Sequence, residues 1–304
     1  MNGIICIDKP AGFTSFDVIA KLRGILKMRR LGHAGTLDPM ATGVLPVFVG
    51  YATKACGILP DEEKTYLAEF QLGIVSDTQD CTGIILERHN FSGVTIEAVL
   101  NALPQGNIMQ TPPMYSAVSV NGKRLYELAR EGKEIERQAR PATVSLQNYF
   151  DWNSETGTGK LEIQCSKGTY IRTLLHDMGQ TLGCGAVMTG LRRSQASGFS
   201  LKDCHTLEEI QKFADENKIS EILIPIEQAF QTLPKISLNE LQTTHYRHGV
   251  KLGLSQLKSQ LNENQRRYAV YGTPDGFLGT ALADTENDLL RIERNLCEPR
   301  GAEA

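Results

Sequence analysis

Residues 32–46 read Gly32-His33-Ala34-Gly35-Thr36-Leu37-Asp38-Pro39-Met40-Ala41-Thr42-Gly43-Val44-Leu45-Pro46. Three glycines and two prolines in these fifteen residues exclude a regular helix and mark a tight, shaped loop. From Val44 the text turns apolar and β-rich through Val49, which predicts a buried strand that anchors the C-terminal end of the loop. At its centre Asp38 stands before a proline, which biases its backbone towards extended conformations. Two readings fit this spacing. An aspartate before proline is a common turn former, and a histidine beside glycine a common loop residue. A carboxylate, an imidazole and a constrained backbone are also the parts of a reactive site.

Working outward, the N-terminal side gives Ile4–Ile7 as a strand and Lys9-Pro10-Ala11-Gly12 as its turn. Thr14 and Asp17 have capping-box spacing and start a helix predicted to run to about Lys27, with Val18, Leu22, Ile25 and Leu26 buried. Lys27, Arg29 and Arg30 at its end suit both the helix dipole and phosphate contact. On the C-terminal side, 52–59 reads as a short helix, followed by the acidic turn Asp61-Glu62-Glu63. Lys64–Leu72 alternates as a strand with Tyr66, Ala68, Phe70 and Leu72 on one face. Residues 96–103 read as helix, Met114–Val120 as a strand ending in an Asn121-Gly122 turn, and 123–132 as a charged short helix. Residues 161–166 read as a strand, and Tyr170 begins a helix that ends near Gly183. Arg172 then sits in a first helical turn, where a positive charge opposes the dipole and calls for an anionic partner; Asp38 and a surface ion pair are the candidates. Leu191-Arg192-Arg193 is a further basic point.

The Gly32–Pro46 stretch resembles the signature motif of the TruB-type tRNA pseudouridine synthases. Three further segments match in order: Asp8-Lys9-Pro10-Ala11-Gly12-Phe13-Thr14-Ser15, Lys64-Thr65-Tyr66, and Lys167-Gly168-Thr169-Tyr170-Ile171-Arg172-Thr173-Leu174. The resemblance spans residues 8–174, and the C-terminal third matches only in a general way. It implies an α+β fold, with a catalytic domain (1–231) around a mixed, mostly antiparallel sheet and a small β-rich, PUA-like RNA-binding domain (232–304). It implies isomerisation of the T-loop uridine of tRNA at position 55, on a flipped-out base and without cofactor or metal. Asp38 would be the nucleophile or electrostatic anchor, and Arg172 the partner that favours its ionised form. Tyr66 would stack beneath the extruded uracil, His33 would fill the vacated space, and Leu191 would pack near the target base. Lys9, Pro10 and Lys64 would support the loop and nearby phosphates, with Arg192 as a further RNA contact. Attack at C6, attack at C1′ and a glycal route stay open.

Bulk properties fit this picture. At 304 residues the chain can hold one large domain and a smaller one. Seven cysteines without a Cys-x-x-Cys pair give neither a zinc ribbon nor a disulfide framework. The net charge of −3 hides a gradient, with 7 basic against 3 acidic residues in 1–60 and 12 against 16 in 200–304. Local potential decides polyphosphate binding more than total charge does. The Ile4–Ile7 run is too short for a signal peptide or membrane span, so a cytoplasmic protein is expected. The segment 111–143 corresponds to the insertion that clamps the RNA stem-loop in free-standing enzymes of the resembled family. No guide RNA is therefore expected, and a guide-dependent synthase acting on ribosomal RNA is disfavoured. The expected partner is the T-arm stem-loop of tRNA, bound by a monomer. The alternative from another class is an RNA-binding tRNA folding aid that needs no catalysis; an arginine-paired aspartate would have no purpose there.

Overall fold

The computed structural model describes residues 1–60, 62–120, 122–261 and 265–298. Asp61 of the acidic turn and Asn121 of the expected Asn-Gly turn lie outside the described residues. By contact density the chain forms two units. The first comprises residues 1–38, 44–62 and 197–304, and the second residues 39–43 and 63–196.

In the first unit, Gly3–Lys9 is a strand beside Thr42–Val49. Its other edge pairs in parallel with Cys204–His205, in the register Cys6↔Cys204 and Ile7↔His205. Leu31–His33 adds antiparallel to Val47–Val49. The helix Ser15–Leu26 starts where its capping box dictates: Thr14 Oγ1 accepts from Asp17 N, and the Asp17 carboxylate accepts from Thr14 N at 2.8 Å. Its apolar stripe Val18, Ile19, Leu22 and Ile25 packs on Ile5 and Ile7 of the first strand, and Leu207 and Ile210 of the helix Leu207–Asp215 join the same core. The expected helix at 52–59 is a 3₁₀ segment, Gly50–Ala55, entered through a left-handed Gly50 and short enough to use i→i+3 bonds.

The C-terminal part of this unit is a five-stranded sheet. Lys235–Leu238 runs parallel to Arg267–Gly272, which continues antiparallel through Gly276–Asp284 and Leu289–Asn295 to Leu252–Gly253. The helix Glu240–Arg247 sends the fully buried Tyr246 through this sheet's core, where its hydroxyl donates to Thr280 O at 3.1 Å. Lys54 Nζ donates to Asn295 O at 3.2 Å, Arg267 donates to Ile58 O, and Tyr271 Oη donates to Glu227. Fully buried Phe230 also stacks on Phe277 at 5.6 Å between ring centroids, so polar and aromatic contacts together tie the sheet to the rest of its unit.

The second unit is built on antiparallel strands. Lys64–Leu72 lies between Thr158–Cys165 and Ala186–Ala196; Arg140–Asn153 and then Gly106–Gln110 extend the order outward. Its burial alternates as read, with Tyr66, Ala68, Phe70 and Leu72 inside. Residues 114–118 are not strand; only Ser119–Val120 pairs, with Lys123–Arg124. Pro112 and Pro113 withdraw two backbone donors there, and the Tyr115 carbonyl is bound by a side chain instead of a ladder. Thr42 and Gly43 pair in parallel with Arg192 and Arg193, so the sheet is mixed but mostly antiparallel.

That last pairing fixes a glycine. Gly43 has φ +101°, and a Cβ there would stand 2.2 Å from Arg193 O. Gly43→Ala is therefore expected to lower stability by about 2 kcal/mol or more, read as a fall in thermal midpoint. Gly12→Ala, with no atom near its missing Cβ, should lose less despite its φ of +82°.

Candidate active site

The signature stretch is held in two ways within the first unit. Its opening residues are strand, and Ala34 N donates to Pro46 O at 3.1 Å, closing the loop at its base. Closer to the centre, the buried Ser15 hydroxyl accepts from Leu37 N at 2.9 Å and donates to Leu37 O at 3.3 Å. One side chain at the helix start thus satisfies both backbone groups of the residue before Asp38, and Leu37 is itself buried. Asp38 is half-buried, while Gly35 and Thr36 are exposed. Pro39 begins the short segment that belongs to the second unit.

The first-strand turn is equally determined. Lys9 is fully buried, and its ammonium donates to Pro10 O at 2.9 Å and Phe13 O at 2.6 Å. A buried ammonium is tolerated when its protons are matched, so Lys9 shapes the turn that delivers Thr14 and Ser15. Pro10 is exposed at the apex of that turn, and His33 is half-buried on its strand.

In the second unit Arg172 is 5% exposed. It sits in the first turn of the helix Ile171–Thr181, as expected. Nη1 donates to Thr78 O at 3.0 Å and Nη2 to Tyr115 O at 2.9 Å; the Asp80 carboxylate lies 3.7 Å away. Asp80 is buried too, and its Oδ1 accepts from Thr78 Oγ1, Thr82 N and Thr82 Oγ1 at 2.6–2.9 Å. Thr173 Oγ1 donates to Gln79 Oε1 at 2.7 Å, so two consecutive residues of the helix start grip the same turn. The helix N-terminus is further fixed by buried Gln110, whose side-chain amide accepts from Tyr170 N and donates to Tyr170 O.

Tyr66 is 6% exposed, and Arg193, opposite it on the neighbouring strand, is fully buried. Arg193 is thus a core cation rather than part of a basic surface point. Leu191 and Arg192 are half-buried on the same strand, and Arg192 Nη1 donates to Thr42 Oγ1 at 3.3 Å. Lys64 is half-buried at the strand start.

Asp80, Gln110 and the burial of Arg193 were not read from the sequence. The run Ser76-Asp77-Thr78-Gln79-Asp80-Cys81-Thr82 carried a usable signal. Short polar side chains this dense, flanked by Gly73 and Gly83, mark a turn that bonds to itself.

Comparison with known proteins identifies the family. The family model for the N-terminal domain of TruB family pseudouridylate synthases matches residues 23–171, and that for the tRNA pseudouridylate synthase B C-terminal domain matches residues 172–231. The chain belongs to the TruB family. A TruB-family member is a pseudouridine synthase, an isomerase. Relatives named tRNA pseudouridine synthase B include that of Clostridium perfringens (strain 13 / Type A), 40% identical over 301 residues, covering 98% of this chain and 100% of the relative. That of Lactobacillus delbrueckii subsp. bulgaricus (strain ATCC BAA-365 / Lb-18) is 43% identical over 280 residues, covering 89% and 93%. Among solved structures, a chain of a Cbf5–Nop10–Gar1 complex superposes with TM-score 0.75 at 24% identity, covering 97% of this chain and 85% of that one. At that identity the likeness speaks for the TruB fold alone.

Among the described residues no helix is long and apolar enough to cross a membrane.

The Arg172 cluster makes a stability prediction. Arg172→Lys cannot serve the Thr78 and Tyr115 carbonyls together, because an ammonium lacks the guanidinium fork. Asp80→Asn removes the buried carboxylate that lies 3.7 Å from the guanidinium. Each is expected to destabilise by about 3 kcal/mol, measured by denaturant unfolding.

Proposed function

We propose that this protein isomerises the uridine at position 55, in the T-loop of tRNA, to pseudouridine. The reading rests on one observation above the rest: in a TruB-family chain, the backbone immediately before Asp38 is immobilised through both polar groups of Leu37. An immobilised backbone next to the carboxylate is what a nucleophile needs to meet one reacting atom repeatedly. The choice of tRNA is supported by near full-length identity to enzymes named tRNA pseudouridine synthase B.

The reaction breaks the N-glycosidic bond, rotates uracil and rejoins it through C5, so no group is carried away and no electrons are gained or lost. Asp38 is the proposed nucleophile or electrostatic anchor, and Arg172 the proposed countercharge that keeps a carboxylate ionised. The uridine must leave its stack first, at a few kcal/mol, which replacement stacking on Tyr66 would offset. His33 would take the vacated space in the loop, and Leu191 would pack near the base. Lys9 acts through the turn it holds, while exposed Pro10 and half-buried Lys64 and Arg192 would meet the RNA backbone. The charged segment 111–143 is the proposed clamp on the T-arm, with exposed Lys123, Arg124, Arg130 and Arg140 available to phosphates. The β-rich C-terminal part, residues 232–304, is proposed as a PUA-like RNA-binding domain. Recognition by loop shape and splayed bases suits such a substrate, and no guide RNA is invoked.

The test uses an unmodified tRNA transcript and measures pseudouridine formed together with RNA affinity. Asp38→Ala should bind within a few-fold of wild type and lose product formation by about 10⁴-fold or more. A transcript with cytidine at position 55 should yield no pseudouridine elsewhere. If the wild-type protein binds tRNA but forms none, the folding-aid reading replaces this one.

A further inference from the structure

The parallel pairing of Gly3–Lys9 with Cys204–His205 sets two cysteines, 198 positions apart in the chain, directly opposite each other: Cys6 faces Cys204. Neighbouring strands lie about 4.8 Å apart, and residues in register on a parallel pair project to the same face. That spacing falls inside the Cα···Cα range a disulfide accepts, roughly 4.4–6.8 Å, with no backbone movement. Both residues belong to one unit and both are free thiols.

The two thiols are not equivalent. Cys6 is fully buried, whereas Cys204 is half-buried and donates its proton to Ser200 O at 3.3 Å. A hydrogen bond to the Cys204 sulfur, with burial next, pushes the Cys6 thiol well above its ordinary range. Cys6 is therefore the member that keeps its proton, and Cys204 the one a small oxidant reaches. Neither takes part in the chemistry proposed above. Cys165 and Cys184 are buried, and no pairing in the sheet registers sets any of the other five cysteines opposite a second one among the described residues.

We propose that Cys6 and Cys204 form a peroxide-sensitive dithiol that closes to an intramolecular disulfide in the folded protein. The Cys204 sulfur attacks a peroxide oxygen, the O–O bond breaks, and Cys204 becomes a sulfenic acid while the peroxide leaves as water or an alcohol. The Cys6 sulfur then attacks the Cys204 sulfur. The S–O bond breaks, and the hydroxide departs with the Cys6 proton as water. Two thiols lose two electrons and the peroxide gains them. The link staples the first strand, three residues before Lys9, to the 204–205 strand.

The full-length folded protein is treated with hydrogen peroxide, blocked with N-ethylmaleimide under denaturing conditions, and mapped by peptide mass spectrometry. The expected result is loss of two of the seven thiols, a cross-linked peptide pair joining Cys6 to Cys204, and recovery of all seven with dithiothreitol. Cys204→Ser should abolish the link. In Cys6→Ala, the Cys204 sulfenic acid should persist and be trapped by dimedone. Wild-type protein in which Cys204 is oxidised while Cys6 is still alkylated would overturn the proposal, as would a link between any other pair. Retention of the Cys6 and Cys204 thiols at peroxide levels that oxidise exposed Cys81 would overturn it equally.

Discussion

The second unit depends on a guanidinium taken out of water. Arg172 carries its charge at 5% exposure, a position that is unfavourable unless nearly every donor is met. It is met by groups from two other segments, the carbonyls of Thr78 and Tyr115, and by the carboxylate of Asp80. The consequence runs outward from the charge. The 76–82 turn, the irregular 111–118 segment and the start of the 171–181 helix have their geometry set by one side chain, because displacing any of them would leave a buried cation under-served. Gln110 reinforces the same helix start by holding both backbone groups of Tyr170.

The first unit uses a different device to the same end. A neutral hydroxyl fixes the backbone before Asp38, by bonding both polar groups of Leu37. The chain of cause is short: buried Lys9 closes the turn, the turn presents Thr14 and Ser15, Thr14 caps the helix, and Ser15 reaches the loop. A stretch rich in glycine and proline would otherwise have many accessible conformations to lose.

How much of this the sequence reveals depends on whether the cause is local. The strand at 64–72 was legible because alternation is its own signal, and Tyr66 fell on the inner face as read. The helix from Ser15 was legible because Thr14 and Asp17 complete each other three residues apart. Arg172 was legible as a cation against a helix dipole that required an anion. Its buried neighbour Asp80 was not, because the two are brought together by a turn whose residues have no period. Residues 114–118 read as strand by their apolar content, yet the carbonyl of Tyr115 is consumed by Arg172, a partner 57 residues away that no window of local sequence contains. Lys9 read as a support of the loop and Arg193 as part of a basic point; the full burial of both was not legible, because it depends on the fold of the Lys9 turn and on strand partners of Arg193 distant in sequence.

The order in which the parts can be completed during synthesis follows from the pairing of the first strand. Residues 63–196 are continuous, so nearly all of the second unit can assemble as soon as they emerge. The first unit cannot finish so early. Gly3–Lys9 awaits Cys204–His205, and Ile4 awaits the backbone of Ile224, with which it exchanges two hydrogen bonds of 2.8 Å. One edge of the apolar strand Gly3–Lys9 is thus among the last to be paired. Until those residues are made, the backbone edge of Gly3–Lys9 is an open strand edge for chaperones to shield, and interrupting translation between residues 196 and 224 would leave it open.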